Sequence, residues 1–147
     1  MADYGTLADH ADVVLDRLRS ELPAEIPVFP AEAGGPSVVP REQAPPYVSV
    51  HINGYRANGG RLDLRSTRFT ERIYAHCVGA NDIAARTVLD QVAEALVDWR
   101  PEISGRSVYP IREEPPREPI TNEPVGFTTV TITGVYRLES EPGRDGS

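Results

Sequence analysis

Two histidines are the residues of this sequence whose types and spacing best suit chemistry. His51 lies in the alternating run YVSVHI and His76 in the alternating run RIYAHCV, so each is predicted to point from the polar face of a β-strand. If the two strands are neighbours, the imidazoles could bind a metal ion or transfer protons. Glu71 is predicted to point to the opposite face, which leaves no third ligand. Two polar residues on an open sheet face are the simpler interpretation, and a small metal-dependent enzyme using His51 and His76 stays an alternative.

Other chemical motifs are missing from the sequence. It contains no glycine-rich phosphate loop, no zinc-type spacing of Cys and His, and no nucleophile elbow. The single cysteine, Cys77, excludes an intrachain disulfide, and it is expected as a buried thiol on an apolar strand face. His10 is expected on the surface, beside the apolar stripe of the first helix. We therefore predict a protein that is not an enzyme, with no catalytic residues, no metal and no cofactor.

The charge distribution indicates contacts with other proteins. The 147 residues carry a net charge of -7, and all 15 basic residues are arginine. Residues 53–78 have an excess of arginine between two acidic segments, which suits subunits that meet head to tail. A solvated basic loop on an acidic protein explains the same pattern. The predicted interface residues are Tyr55, Arg56, Arg61, Arg65, Arg68 and Arg72. A weaker prediction places an acidic counter-surface at Glu113, Glu114 and Glu118.

The hydrophobic periodicity predicts an α+β fold of order α-β-β-β-α-β-β, in which two helices cover one face of a largely antiparallel sheet. A glycine-rich loop at 53–67 is expected to join antiparallel strands, and a proline-rich arm at 112–124 is expected to stay outside the core. Residues 1–140 are predicted to form one domain and residues 141–147 a disordered tail. The predicted elements are helix 6–22, strand 26–30, strand 46–52, strand 68–79, a second helix, strand 106–111 and strand 125–138. The second helix is predicted to be capped by Asn81 or Asp82, to close its apolar stripe at Trp99 and to end at Pro101.

Four phrases of the sequence, together with this order of elements, resemble a known family. They are VSVHI at 48–52, TERIYAHCVG at 70–79, ALVDWRPEISGRSVYPIR at 95–112 and VYRLES at 135–140. The resemblance is to the tail terminator (tail completion) proteins of long-tailed, siphovirus-type bacteriophages, especially those that infect actinobacteria. It covers most of the chain, and its motifs are structural.

The resemblance implies a ring, usually of six subunits, that caps the finished tail tube and halts its polymerisation. Its expected partners are copies of itself, the tail tube protein and the head–tail connector or neck proteins, with no membrane. Genomic DNA would pass through the lumen without sequence-specific binding, and an acidic lining would let it slide. The implied location is the tail–neck junction of the virion, after assembly in the host cytoplasm. A neck or head–tail connector protein of the same virion is the alternative within this class.

Overall fold

In the part of the chain that the structure describes, a seven-stranded sheet forms the centre, and two helices pack on one of its faces. The computed structural model describes residues 7–30, 43–57, 68–116, 120–122 and 129–142. In chain order the elements are α1 (Leu7–Glu21), β1 (Val28–Pro30), β2 (Tyr47–Ala57), β3 (Arg68–Gly79), α2 (Asp82–Leu96), β4 (Arg106–Val108), β5 (Arg112–Glu114), β6 (Ile120–Asn122) and β7 (Thr129–Pro142). The predicted α+β class is confirmed.

The sheet is built around the two long central strands β3 and β7. The strand order is β1-β2-β3-β7-β4, and β5 and β6 also pair with β7. The short β1 lies parallel to β2, and every other pair is antiparallel. One edge of the 14-residue β7 therefore pairs with β3, and the other edge is shared by three short strands.

Two of these short strands correct the predicted element order. The proline-rich arm was expected to stay apart from the fold, but Arg112–Glu114 and Ile120–Asn122 add to the edge of β7 as β5 and β6. Pro110 and Pro115 lie outside the three residues of β5, so the missing N–H groups of proline do not interrupt its pairing. The observed order is therefore α-β-β-β-α-β-β-β-β.

The predicted pairing of β2 with β3 is confirmed. The strand β3 has the predicted bounds, whereas β2 extends beyond residue 52 to Ala57. The register runs from Tyr47 opposite Val78 to Ala57 opposite Arg68, so the hairpin continues through residues that were assigned to the loop. The described residues do not include the remaining connection, residues 58–67.

Local sequence explains how α2 begins and ends. The Asn81 side chain caps the helix, because its Oδ1 accepts a hydrogen bond of 2.8 Å from the backbone N–H of Ala84. The helix ends at Leu96, before Trp99, which was expected to complete its apolar stripe. Trp99 still packs against the core, and the guanidinium of Arg17 lies 4.9 Å from its ring centroid.

The core lies between the helices and the covered face of the sheet. Val88, Val92 and Leu96 of α2 pack with Ile73 and Cys77 of β3 in one buried cluster. Cys77 is a buried free thiol, as predicted, and burial raises its pKa to about 12. Neither helix in the described part of the chain combines the length and apolar character that crossing a membrane requires.

Candidate interaction surface

The sheet face opposite the helices is here called the outer face, and five of the predicted functional residues lie on it, namely His51, Arg68, Arg72, His76 and Glu114. Along β3 the residues Phe69, Glu71, Ile73, Ala75 and Cys77 are buried, and the alternate residues from Arg68 to His76 are more exposed. Those alternate positions point away from α2, because successive side chains of a strand point to opposite faces. The cross-strand register places side chains of β2, β7 and β5 beside them.

The two histidines meet on this face, as the sequence predicts. A ring nitrogen of His51, Nδ1, lies 3.0 Å from Nε2 of His76, and Nδ1 of His76 lies 2.8 Å from Oγ1 of Thr133. The His51 ring also stacks on Tyr74 with a centroid distance of 4.6 Å. This chain of hydrogen bonds can hold or pass a proton. Within the described residues, no group of three or more His, Cys, Asp or Glu side chains is placed to bind a metal ion.

Three arginines, here called the arginine row, lie directly opposite one another on three neighbouring strands. Arg72 of β3 is the register partner of Arg137 of β7, which is in turn the register partner of Arg112 of β5. All three side chains are exposed. Like charges directly opposite one another in a sheet destabilise it, so this arrangement favours a negatively charged partner.

The arginine row is only partly neutralised by its own chain. Arg72 Nε donates a 3.0 Å hydrogen bond to Oε1 of Glu114, and this carboxylate raises the pKa of Arg72. Arg137 Nε lies 3.6 Å from Oε1 of Glu139, too far for a hydrogen bond of good geometry. Among the described residues, no carboxylate forms an ion pair with Arg112. Binding capacity for an anion therefore remains at the Arg112 end of the row.

A second charged group lies further along the outer face. Arg68 Nη2 donates a 2.8 Å hydrogen bond to Oε2 of Glu139, and its guanidinium lies 5.8 Å from the ring centroid of Tyr109. The hydroxyl of Tyr109 donates to Oε1 of Glu141 at 2.8 Å, which raises the pKa of Tyr109. Tyr109 is 43% exposed, so an aromatic ring is available for contact at this position.

The predicted basic interface residues are distributed unevenly in the structure. Arg68 and Arg72 lie on the outer face in intrachain ion pairs. The backbone of Tyr55 and Arg56 belongs to β2, opposite Thr70 and Phe69. Two further predicted residues lie outside the described residues, namely Arg61 and Arg65.

The predicted acidic counter-surface is split between the two faces of β5. Glu114 binds Arg72 on the outer face. Glu113 is exposed, and its register partner is Tyr136, whose side chain belongs to the core on the covered face. Glu118 lies outside the described residues. One member of the basic set and one of the acidic set thus meet within a single chain.

Sequence reasoning missed a buried polar cluster on the covered face. His10 was expected on the surface, but the structure places it at 0% exposure, with its Nε2 2.7 Å from Oγ of Ser140. The spacing contained the signal, because His10, Val14 and Leu18 follow one another at intervals of four and lie on one helix face. Histidine therefore continues the buried stripe of α1.

Glu71 and Arg106 complete this cluster. Oε1 of Glu71 lies 3.8 Å from Nδ1 of His10, and neither carboxylate oxygen has a hydrogen-bond partner among the described residues. Burial raises the pKa of Glu71 to about 8. Arg106 donates from Nε to Oγ of Ser140 at 3.1 Å and from Nη2 to the Ser140 carbonyl at 2.9 Å.

The contacts from Ser140 to His10 and from His10 to Glu71 join the residue types of a catalytic triad. The burial of all three side chains argues against catalysis. The three residues are exposed by 0%, 0% and 1%. A nucleophile must reach its substrate, and a serine enclosed in the core cannot. The cluster therefore acts within the fold.

Comparison with known proteins shows a similarity of fold. No protein-family model matches the chain, and no curated protein matches it. Among solved structures, it is similar to a chain of the virion of a native gene transfer agent (GTA) particle, with a TM-score of 0.62 and 16% sequence identity. The similarity covers 88% of this chain and 92% of that chain. The two chains thus share a fold over nearly their whole lengths.

Proposed function

We propose that this protein is a structural component of a phage-like virion, and that it acts as a tail terminator. In this role six copies form a ring that caps the tail tube, stops its polymerisation and joins the tail to the head–tail connector. The protein works by shape and charge complementarity, without catalysis, at the tail–neck junction. It is assembled into the particle in the host cytoplasm, and DNA passes through the ring without sequence-specific contacts.

The observation that carries this proposal is the shared fold with a chain of a GTA virion, which extends over nearly all of both chains. The sequence resemblance to tail terminators, in VSVHI, TERIYAHCVG and the 95–112 segment, independently favours the same class of particle. Fold alone does not define function, so the specific role in the tail rests on the sequence resemblance and on the charged surfaces.

Termination would work by occlusion. The ring covers the surface on which the next ring of tube subunits would assemble. Contacts with neighbouring subunits and with the tube are assigned to the arginine-rich region from β2 to β3, and a counter-surface to the acidic residues of the 113–118 region. The basic set is Tyr55, Arg56, Arg61, Arg65, Arg68 and Arg72, and the acidic set is Glu113, Glu114 and Glu118.

The decisive experiment removes the protein from its particle and measures tail length by electron microscopy. Without a terminator the tube keeps growing, so we expect tails of abnormal, variable length that bear no heads. Adding purified protein during assembly should restore uniform tails. Tails of normal length that lack heads would instead indicate a neck or connector protein, and unchanged particles would contradict both roles.

The 3.0 Å contact between His51 and His76 keeps one alternative of another class, a small metal-dependent enzyme. Metal analysis of the purified protein and the double variant His51→Ala/His76→Ala test it. Under the terminator proposal we expect no stoichiometric metal and normal tail assembly by the variant. Bound metal that is lost in the variant, together with lost function, would favour the enzyme.

A further inference from the structure

The arginine row has a counterpart of opposite charge on the other side of the molecule. Three exposed carboxylates form what we call the acidic patch, namely Asp90 and Glu94 of α2 and Glu113 of β5. Asp90 and Glu94 are one turn apart on the same face of the helix. Glu113 is the register partner of Tyr136. The Tyr136 hydroxyl and the end of the Leu89 side chain both lie against Gly134, so α2 passes over Tyr136 next to Asp90.

No basic side chain among the described residues of the same copy neutralises the acidic patch. None of its three carboxylates forms an ion pair within the described residues. The nearest arginine along the helix, Arg86, binds Asp82 at 2.9 Å instead. Carboxylates at i and i+4 repel each other, so Asp90 and Glu94 destabilise the helix as it stands.

A positive charge near the C-terminal end of α2 would also be stabilising. The last turn of this helix contains no basic residue, although it contains Glu94. The C-terminus of a helix carries a partial negative charge from its free carbonyl groups, which a guanidinium stabilises and a carboxylate does not. An arginine from outside the chain would therefore relieve two unfavourable interactions at once.

The row and the patch also match in size. Adjacent strands lie about 4.8 Å apart, so three arginines on three neighbouring strands span roughly 10 Å. Asp90 and Glu94 are separated by about 6 Å along the helix axis. Glu113 belongs to the strand β5, which pairs with β7, one of the strands that α2 covers. Guanidinium side chains are long enough to take up the remaining difference in position.

The two surfaces cannot meet within one molecule. The arginine row lies on the outer face, and α2 packs against the covered face of β3 and β7. From this placement we infer that the arginine row of one copy docks on the acidic patch of a second copy. The inference rests on the proposed ring and names its subunit contact: Arg72, Arg137 and Arg112 against Asp90, Glu94 and Glu113.

Such a contact pairs one surface of one copy with a different surface of the next copy, so it is heterologous. After a single contact one copy still has a free patch and the other a free row, so further copies can add until the rotation closes a ring. The net charge of -7 opposes association at long range, so the local pairing must overcome a general repulsion between copies.

Charge reversal with rescue tests this contact in the purified full-length protein. We expect Arg112→Glu/Arg137→Glu and Asp90→Arg/Glu94→Arg each to weaken self-association by at least about tenfold in sedimentation velocity, since both place like charges in contact. The quadruple variant restores opposite charges across the interface, so its association should return to within about threefold of the wild type. Thermal unfolding monitored by circular dichroism checks that each variant is folded.

Matched controls carry the same charge changes elsewhere. Arg19→Glu/Arg100→Glu and Asp12→Arg/Asp16→Arg alter exposed residues that form no ion pair within the described part of the chain. We expect both controls to associate like the wild type. The inference is overturned if the row and patch variants behave like these controls, if the quadruple variant stays as weak as the doubles, or if the wild type does not self-associate. None of these results decides the proposed function, which depends on tail length in particles that lack the protein.

Discussion

Histidine occurs on both faces of the sheet, and the two faces use it differently. On the outer face, His51 and His76 hydrogen-bond to each other and stay partly exposed, so water can replace any lost partner. On the covered face, His10 lies fully buried beside Glu71, whose carboxylate oxygens have no hydrogen-bond partner among the described residues. A polar group in the second setting affects stability much more strongly than one in the first.

This contrast separates the part of the molecule that sets stability from the part available for contacts. The outer face carries ion pairs and arginines that can be exchanged with little effect on folding. The covered face carries close backbone contacts and the buried acid Glu71, whose carboxylate has no hydrogen-bond partner among the described residues, so changes there should act on folding first. Four predictions test this division, from the largest expected effect to the smallest.

The largest effect is expected at Gly79, where β3 passes under the start of α2. A Cβ atom added there would overlap the backbone nitrogen of Ala85 and lie 2.7 Å from the backbone carbon of Ala84. Because these are backbone atoms of a capped helix, Gly79→Ala must displace α2. We expect the variant to lose at least about 3 kcal/mol of unfolding free energy, measured by urea denaturation, or to fail to accumulate as folded protein.

Gly134 of β7 provides the matched comparison. A Cβ there would lie 2.7 Å from Cδ1 of Leu89 and 2.8 Å from the hydroxyl of Tyr136, which are ends of side chains. Side chains can move, so Gly134→Ala should cost less, about 1–3 kcal/mol. A larger loss at Gly134 than at Gly79 would contradict the proposed importance of the Gly79 backbone contact.

The second prediction concerns the pH dependence of stability through Glu71. Its pKa is raised by burial from 4.5 to about 8 in the folded protein, so folding favours the protonated form. The contribution of protonated Glu71 to the free energy of unfolding is therefore fully present below the unfolded pKa, and it is lost as the pH rises towards 8. At 1.36 kcal/mol per pKa unit, this loss amounts to roughly 3–5 kcal/mol.

Glu71→Gln tests this by keeping the shape of the side chain and removing its titration. We expect the variant to be more stable than the wild type at pH 8 and nearly equal to it at pH 5, in urea denaturation at both values. If the difference between variant and wild type is the same at the two pH values, the raised pKa of Glu71 is wrong.

The sequence contained enough local information for the outer face and for the sheet. The period-two alternation of 68–79 assigned His76 and Glu71 to opposite faces correctly, because the alternation of a strand does not depend on its neighbours. Asn81 was recognised as a possible cap of α2 for the same reason, since its bond to Ala84 spans only three residues.

The features that were missed depend on contacts between distant parts of the chain. The surroundings of His10 are provided by Ser140, 130 residues away, and no local pattern contains that partner. The strands β5 and β6 form because β7 offers an unpaired edge, and the prolines between them were given too much weight. The error at β5 and β6 came from judging prolines without the strand edge that β7 offers, whereas the burial of His10 was indicated by its spacing to Val14 and Leu18.

The third prediction compares the two histidine environments directly. His10→Ala leaves Ser140 and Glu71 without their neighbour and opens a cavity in the core, so we expect a loss of about 2–4 kcal/mol. His76→Ala removes partly exposed hydrogen bonds to His51 and Thr133, which water can replace, and should cost about 1 kcal/mol. Urea denaturation at one pH measures both, and equal losses would remove the distinction between the two faces.

The smallest effect is expected from the ion pairs of the outer face. Arg72 is more than half exposed, so removing its bond to Glu114 should leave the midpoint of thermal unfolding unchanged within error. The pair nevertheless connects β3 with the short edge strand β5, which has few other contacts to hold it. In Arg72→Ala we therefore expect faster amide hydrogen exchange confined to residues 112–114, because such local opening does not require global unfolding.

Arg68→Ala, which removes the pair with Glu139 of β7, serves as the control and should leave exchange in β5 unchanged. A clear fall in the midpoint for Arg72→Ala, similar to that for His10→Ala, would mean that the outer face contributes to folding as much as the covered face does.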